Sequence, residues 1–117
     1  MAKDPRTPLR DIIESSDRII SNVDNVSIEE FRRDINLQDA VVRRFEIIGE
    51  AVKRIPAAVR SRYLDVPWKE VAGFRDVLIH DYPDIVIDYV YATGKDQLPA
   101  FRDQIRRILD DLGPRSE

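Results

Sequence analysis

Leu37-Gln38-Asp39-Ala40-Val41-Val42-Arg43-Arg44-Phe45-Glu46-Ile47-Ile48-Gly49-Glu50-Ala51-Val52-Lys53-Arg54-Ile55-Pro56 reads as one long amphipathic helix. Val41, Phe45, Ile48, Val52 and Ile55 recur every three or four residues, the spacing that gathers apolar side chains on one helical face. Pro56 has no N–H to continue the ladder and ends the helix. A buried stripe on so long a helix needs other helices to cover it, and the flanking sequence supplies them. Upstream, Leu9, Ile12, Ile13, Ile19, Ile20 and Val23 repeat with the same period. There Thr7 is the candidate N-cap, Pro8 the first helical residue, and Asp24-Asn25 the stop. Ser27-Ile28-Glu29-Glu30 is a capping box opening a short helix through Phe31.

Downstream, residues 56–67 form a connection with room for a helical turn around Ala57–Tyr63. Pro67 suits the start of a helix whose buried face is Trp68, Val71, Ala72, Phe74, Val77 and Leu78. Gly73 within it costs about 1 kcal/mol relative to Ala, which points to close approach of another backbone. Pro83 disfavours helical geometry at Tyr82, so this helix ends near Asp81. Asp84 can cap a further helix through Thr93, with Gly94 as its stop. A last helix from about Pro99 to Leu112 turns Phe101, Ile105, Ile108, Leu109 and Leu112 to one side, and Gly113-Pro114 closes it. The expectation is an all-α bundle of four to five helices packed up and down. It forms one domain over residues 1–117, with a core of about 9–112 and frayed ends.

Composition narrows the function classes. The 117 residues are 43% hydrophobic and 35% charged, ordinary for a globular protein built from amphipathic helices. No apolar run approaches the roughly 18 residues of a membrane span. Met1-Ala2-Lys3-Asp4-Pro5 lacks the apolar region of a signal peptide, so a cytoplasmic location is expected. Cysteine is absent and histidine occurs once, which leaves no thiolate chemistry and argues against a metal site or cofactor. Net charge is −3, but unevenly spread. Arg43, Arg44, Lys53, Arg54, Arg60 and Arg62 face only Glu46 and Glu50 in their stretch. Asp76, Asp81, Asp84 and Asp88 stand in a stretch without Lys or Arg. The first is an RNA-backbone track or a solvated face, with the solvated face favoured; the second repels phosphates or meets a basic partner.

The lone histidine lies in Arg75-Asp76-Val77-Leu78-Ile79-His80-Asp81-Tyr82, spaced R-x4-H-x-Y. Asp76, four residues before His80, shares its helical face and can orient the ring. An imidazole that moves protons beside a guanidinium that stabilises phosphoryl charge suits phosphodiester chemistry without a metal. Five helical residues rotate by roughly 140°, so Arg75 and His80 of one regular helix do not share a face. A symmetric dimer bringing two such turns together would unite both pairs in one cleft. Each residue also has a plainer reading: His80 bonding the last carbonyls of its helix, Arg75 and Asp76 as a surface pair, Tyr82 packing its ring at a helix end.

Around this motif the chain resembles the HEPN superfamily, and more closely its HepT-type toxins. Arg75, Asp76 and His80 match the R-polar-x3-H signature, and Tyr82 extends it. The segments 45–51, 66–75 and Leu98-Pro99 resemble the family's second helix, its approach to the motif and the start of its last helix. The likeness spans about Leu9 to Leu112. It implies a metal-independent endoribonuclease acting as a homodimer, with Arg75, Asp76 and His80 catalytic and RNA as substrate. It also implies a partner, the minimal nucleotidyltransferase of HepT–MntA toxin–antitoxin pairs, which would transfer AMP to Tyr82. HEPN-like bundles that only dock substrates for a nucleotidyltransferase offer the alternative reading.

Overall fold

The structure, a computed structural model, describes residues 4–82 and 86–114. Every regular element among them is helical: α1 (Arg6–Asp24), α2 (Ile28–Arg33), α3 (Ile35–Arg54), α4 (Ala57–Arg60), α5 (Trp68–Asp81), α6 (Ile87–Ala92), a π-helical turn (Thr93–Gln97) and α7 (Leu98–Leu112). The long helix 35–54 is the centre of the bundle, with α1 packed on one side and α5 on the other, while α7 lies on α1. Its apolar stripe is as the spacing requires: Val41, Phe45, Ile48 and Val52 are all buried. They meet Leu9, Ile12 and Ile19 of α1, and Ile105 and Ile108 of α7 complete the core. Each such aliphatic side chain contributes about 1.5–3 kcal/mol when withdrawn from water.

The helix ends follow local chemistry. Ser27 and Glu30 form the reciprocal capping box at α2, and Asp34 accepts the N–H of Leu37 at 3.0 Å to cap α3. Gln38, buried at the α2–α3 corner, donates its amide to the carbonyls of Phe31 (2.8 Å) and Arg32 (3.1 Å). α1 starts at Arg6, before the expected Thr7–Pro8 boundary, because the Asp4 carboxylate accepts the Arg6 N–H at 3.0 Å. Arg6 then reaches across the bundle to the carbonyl oxygens of Leu112 (2.9 Å) and Gly113 (2.7 Å), clamping the two ends of the chain together.

Three glycine and core expectations change. Gly94 does not stop a helix: it sits in the π-turn that joins α6 to α7, where a Cβ would approach Ile19 Cγ2 to 3.0 Å. Its lack of a side chain lets that turn lie against α1. Gly73 faces open space. Val77, expected in the core, is 45% exposed, because α5 is covered chiefly by α3 and only the Val71–Leu78 side faces it. The expected roles of Pro83 and Asp84 lie outside the described residues. Among the described residues no helix is long and apolar enough to cross a membrane.

Candidate active site

α5 begins after Pro67, with the Trp68 indole N–H donating to the carbonyl of Tyr63 at 3.0 Å, and Leu78 anchors its far end as a fully buried side chain. The helix runs unbroken to Asp81, so the rotation between Arg75 and His80 is that of a regular helix. Arg75 turns toward α3 and His80 turns outward.

Arg75 lies flat over Gly49. A Cβ at position 49 would stand 2.2 Å from Arg75 Cβ and under 3 Å from its next two carbons, so only glycine leaves room for the stem. The guanidinium is three-quarters covered and loosely held: Nη2 donates to Glu50 Oε1 and Nη1 to Asp76 Oδ1, both at 3.4 Å. Its Nε is buried without a partner. Glu50 is shared with Arg43 at 3.8 Å.

Asp76 is engaged sideways rather than along its own helix. Lys53 Nζ donates to its carboxylate at 3.0 Å, and that hydrogen bond is the main cause holding the Asp76 carboxyl below the ordinary carboxylate range, with Arg75 adding to it. His80 is exposed, and among the described residues no hydrogen bond or ion pair reaches its ring. The face shared by Asp76 and His80 therefore exists, but the carboxylate points its bonds at cations of α3 and α5.

Tyr82 follows the helix in extended conformation (φ −70°, ψ 134°), as an X-Pro residue should. Its N–H still closes on the Leu78 carbonyl at 3.3 Å. The ring is half-buried, and its hydroxyl donates to the Asp39 carboxylate on α3. That hydrogen bond, then burial, pushes the phenol above its ordinary range, and the negative charges of Asp39 and Glu46 act in the same direction.

Beyond the Arg75–Asp76 contact within α5, the motif's polar side-chain partners among the described residues come from one edge of α3. Asp39 takes Tyr82, Glu50 takes Arg75, and Lys53 takes Asp76, while Gly49 makes room. The spacing of seven between Asp39, Glu46 and Lys53 is a visible signal for such an edge. In the sequence Glu46 and Lys53 read as members of a charge run, and Asp39 lies outside it. Half of the run's cations are paired within the chain: Arg43 pairs with Glu46, Lys53 with Asp76, and Arg54 with Asp11 at 2.9 Å. The acidic stretch is broken up too, since Asp88 is held by Arg32 at 2.6 Å and Asp76 by Lys53; Asp84 lies outside the described residues.

On its solvent side α5 is apolar as well. A groove of about 740 Å³ between α4 and α5 is lined by Leu64, Trp68, Ala72 and Gly73, with Asp76 at its rim. On the opposite flank Phe74, Val77, Val86 and Tyr89 line a second depression. Among the described residues no group of three or more His, Cys, Asp or Glu is placed to hold a metal ion.

Comparison with known proteins agrees with this architecture. The profile of the family described as Ribonuclease HepT-like matches residues 12–108. A Methanocaldococcus jannaschii protein provisionally named an RNase is 39% identical over 115 residues, covering 98% of this chain and 95% of its own length. One from Caldanaerobacter subterraneus subsp. tengcongensis, also provisionally named an RNase, is 40% identical over 107 residues, covering 92% and 96%. A Thermococcus cleftensis protein provisionally named ribonuclease HepT is 32% identical over 108 residues, covering 92% and 98%. No solved structure matches. With its helical bundle, its R-x4-H-x-Y turn and a family match over most of its length, the chain belongs to the HepT-like ribonucleases.

Proposed function

We propose that this ribonuclease is the toxin of a HEPN–nucleotidyltransferase toxin–antitoxin pair, an endoribonuclease that cleaves RNA without a metal. The observation that carries the reading is the division of labour on α5, with Arg75 cradled on Gly49 and His80 left free in solvent. His80 takes the proton of a ribose 2′-hydroxyl. The 2′-oxygen attacks the adjacent phosphorus, and the bond to the 5′-oxygen breaks as that oxygen receives a proton. Arg75 braces the phosphoryl oxygens; its contacts to Glu50 and Asp76, both long, are ones that a phosphate can displace. Asp76 keeps Lys53 and Arg75 together at the edge of the site.

The acting unit is a homodimer. Gly73, Val77 and His80 fall on one stripe of α5, spaced four and three residues apart, and the first has open space above it while the second is exposed. Two such stripes meeting would bring both His80 side chains to one cleft, so that one imidazole takes a proton while the other supplies one. Control falls on Tyr82. A partner nucleotidyltransferase holding ATP presents the α-phosphorus to the phenol oxygen; the oxygen–phosphorus bond forms, pyrophosphate leaves, and Asp39 receives the phenolic proton. The product carries bulk and negative charge two residues from His80, where RNA must enter.

The test uses purified protein on labelled single-stranded RNA with a chelator present. Wild type cleaves, and His80→Ala and Arg75→Ala each lose at least about 100-fold while keeping their helicity. Cleavage that requires magnesium, or a His80→Ala variant of full activity, overturns the reading. Intact mass after incubation with the nucleotidyltransferase and ATP tests the control: an adenylyl gain on wild type and none on Tyr82→Phe.

A further inference from the structure

The catalytic turn is poorly secured for a group that must be placed to within a fraction of an ångström. Leu78 is the last fully buried side chain of α5, and beyond it Ile79, His80 and Asp81 are all exposed. No hydrogen bond from another element reaches any of those three among the described residues. The next fixed point is Tyr82, whose hydroxyl meets Asp39 on α3. Asp39 is exposed, its carboxylate has no other partner among the described residues, and it contributes nothing to the core. An exposed helical aspartate whose one bond closes the far side of the His80 turn is placed to act on that turn.

We propose that Asp39 is a positioning residue for RNA cleavage: by accepting the Tyr82 hydroxyl it latches the end of α5 to α3 and fixes where His80 stands. The turn is then held at two points, Leu78 by burial and Tyr82 by the latch, with His80 midway between them. Either group alone leaves the turn free at one end. The phenol is the right donor for this purpose, since it stays protonated at neutral pH and reaches across the gap that a shorter side chain could not span. The latch also gives the proposed modification a second consequence. An ester on the Tyr82 oxygen removes the donor and sets a phosphodiester anion against Asp39 and Glu46, so the turn is released as well as obstructed.

This inference rests on His80 being the proton-transfer group of an RNase, and the experiment separates the two claims. Because the chain contains one histidine, its imidazole gives a single, unambiguous set of ring signals in a nuclear magnetic resonance spectrum. Asp39→Ala and Tyr82→Phe should each shift those signals in the same direction and raise the ring's mobility, and the double variant should do no more than either alone. Asp39→Asn, which keeps a carbonyl acceptor for the phenol, should restore the wild-type spectrum. On labelled single-stranded RNA, Asp39→Ala should lower kcat by about tenfold with KM nearly unchanged, and Asp39→Asn should recover most of the loss. Ring signals that do not respond to Asp39→Ala, or effects of the two single variants that multiply in the double, overturn the latch. A responsive spectrum together with full activity of His80→Ala would instead leave the latch standing and remove the RNase role of the histidine.

Discussion

Two residues outside the motif set where its side chains stand. Gly49 is the first. Alanine there would put a methyl within 2.2 Å of the Arg75 Cβ, an atom too close to the backbone to swing aside. α3 and α5 would have to separate, so Gly49→Ala should cost about 1–3 kcal/mol, the usual penalty of overpacking, in a denaturant titration. Because Arg75 rides on that contact, RNA cleavage should fall further than the stability loss explains, by about 100-fold if the guanidinium moves by an ångström. A Gly49→Ala protein as active as wild type would detach Arg75 from the mechanism. Asp39 is the second, and its effect on Tyr82 is directly titratable. The Asp39 hydrogen bond favours the neutral phenol in the folded state, raising its folded pKa above the unfolded value of about 10. The stability this supplies is complete below that unfolded value and is lost as pH rises through the folded one. Phenolate absorbance should therefore show Tyr82 ionising late, and Asp39→Ala should move one tyrosine toward the ordinary range, with burial and Glu46 still holding it above. Tyr63 provides an internal reference, since burial and the Asp111 hydrogen bond raise it independently of Asp39.

Helices were legible to the extent that one face of each meets the core. α1, α3 and α7 have a strong apolar side, and their periodicity located them to within two or three residues. α5 is different: apolar residues surround it, so periodicity found the helix but could not say which side is buried. The spacing places Val77 in the interior, yet it is exposed, whereas Leu78, next to it, is fully buried. Leu78→Ala should accordingly cost about 2–5 kcal/mol, while Val77→Ala should leave the unfolding free energy of the monomer almost unchanged. Equal losses for the two in a urea titration at low protein concentration would contradict this packing. The glycines show the same limit. A glycine inside a helix signals a special position, but whether it is an approach, a stop or an opening depends on neighbours distant in sequence. Gly94 read as a stop because a π-turn keeps a helical path without a helical period, and its true constraint is Ile19 on α1. Gly49 carries no local signal, because Arg75, the residue crowding it, is twenty-six positions away. Arg75, Asp76, His80 and Tyr82 were legible as a motif because their spacing is local. Asp39, Glu50 and Lys53 were not, since only the packing of α3 against α5 brings them to it.

Taken as a whole, the bundle leaves α5 half covered. Core residues of α1, α3 and α7 enclose one another, but α5 rests on α3 and is flanked by apolar side chains left in solvent, Leu64 of the preceding connection on one side and Val86 and Tyr89 on the other, with its own Val77 exposed between them. Leu64 is 82% and Val86 65% exposed, so these are large side chains left in water rather than edges of the core. A second copy would cover them and, through the Gly73–Val77–His80 stripe, would supply the second imidazole that acid–base cleavage uses. The net charge of −3 is small, and the charges of Arg75 and Asp76 beside the stripe are already matched within the chain. Val77→Asp tests this at one position. Val77 carries little of the fold, so the variant should keep its helical circular dichroism and its cooperative unfolding. A buried, unpaired carboxylate at the seam costs several kcal/mol, enough to turn a micromolar dimer into a monomer. Sedimentation should then show a single 13.6 kDa species, and RNA cleavage should be lost with both His80 and Arg75 intact. If Val77→Asp stays dimeric, the stripe is not the seam; if it is monomeric and still cleaves at the wild-type rate, one α5 turn is a sufficient active site and the shared cleft is wrong.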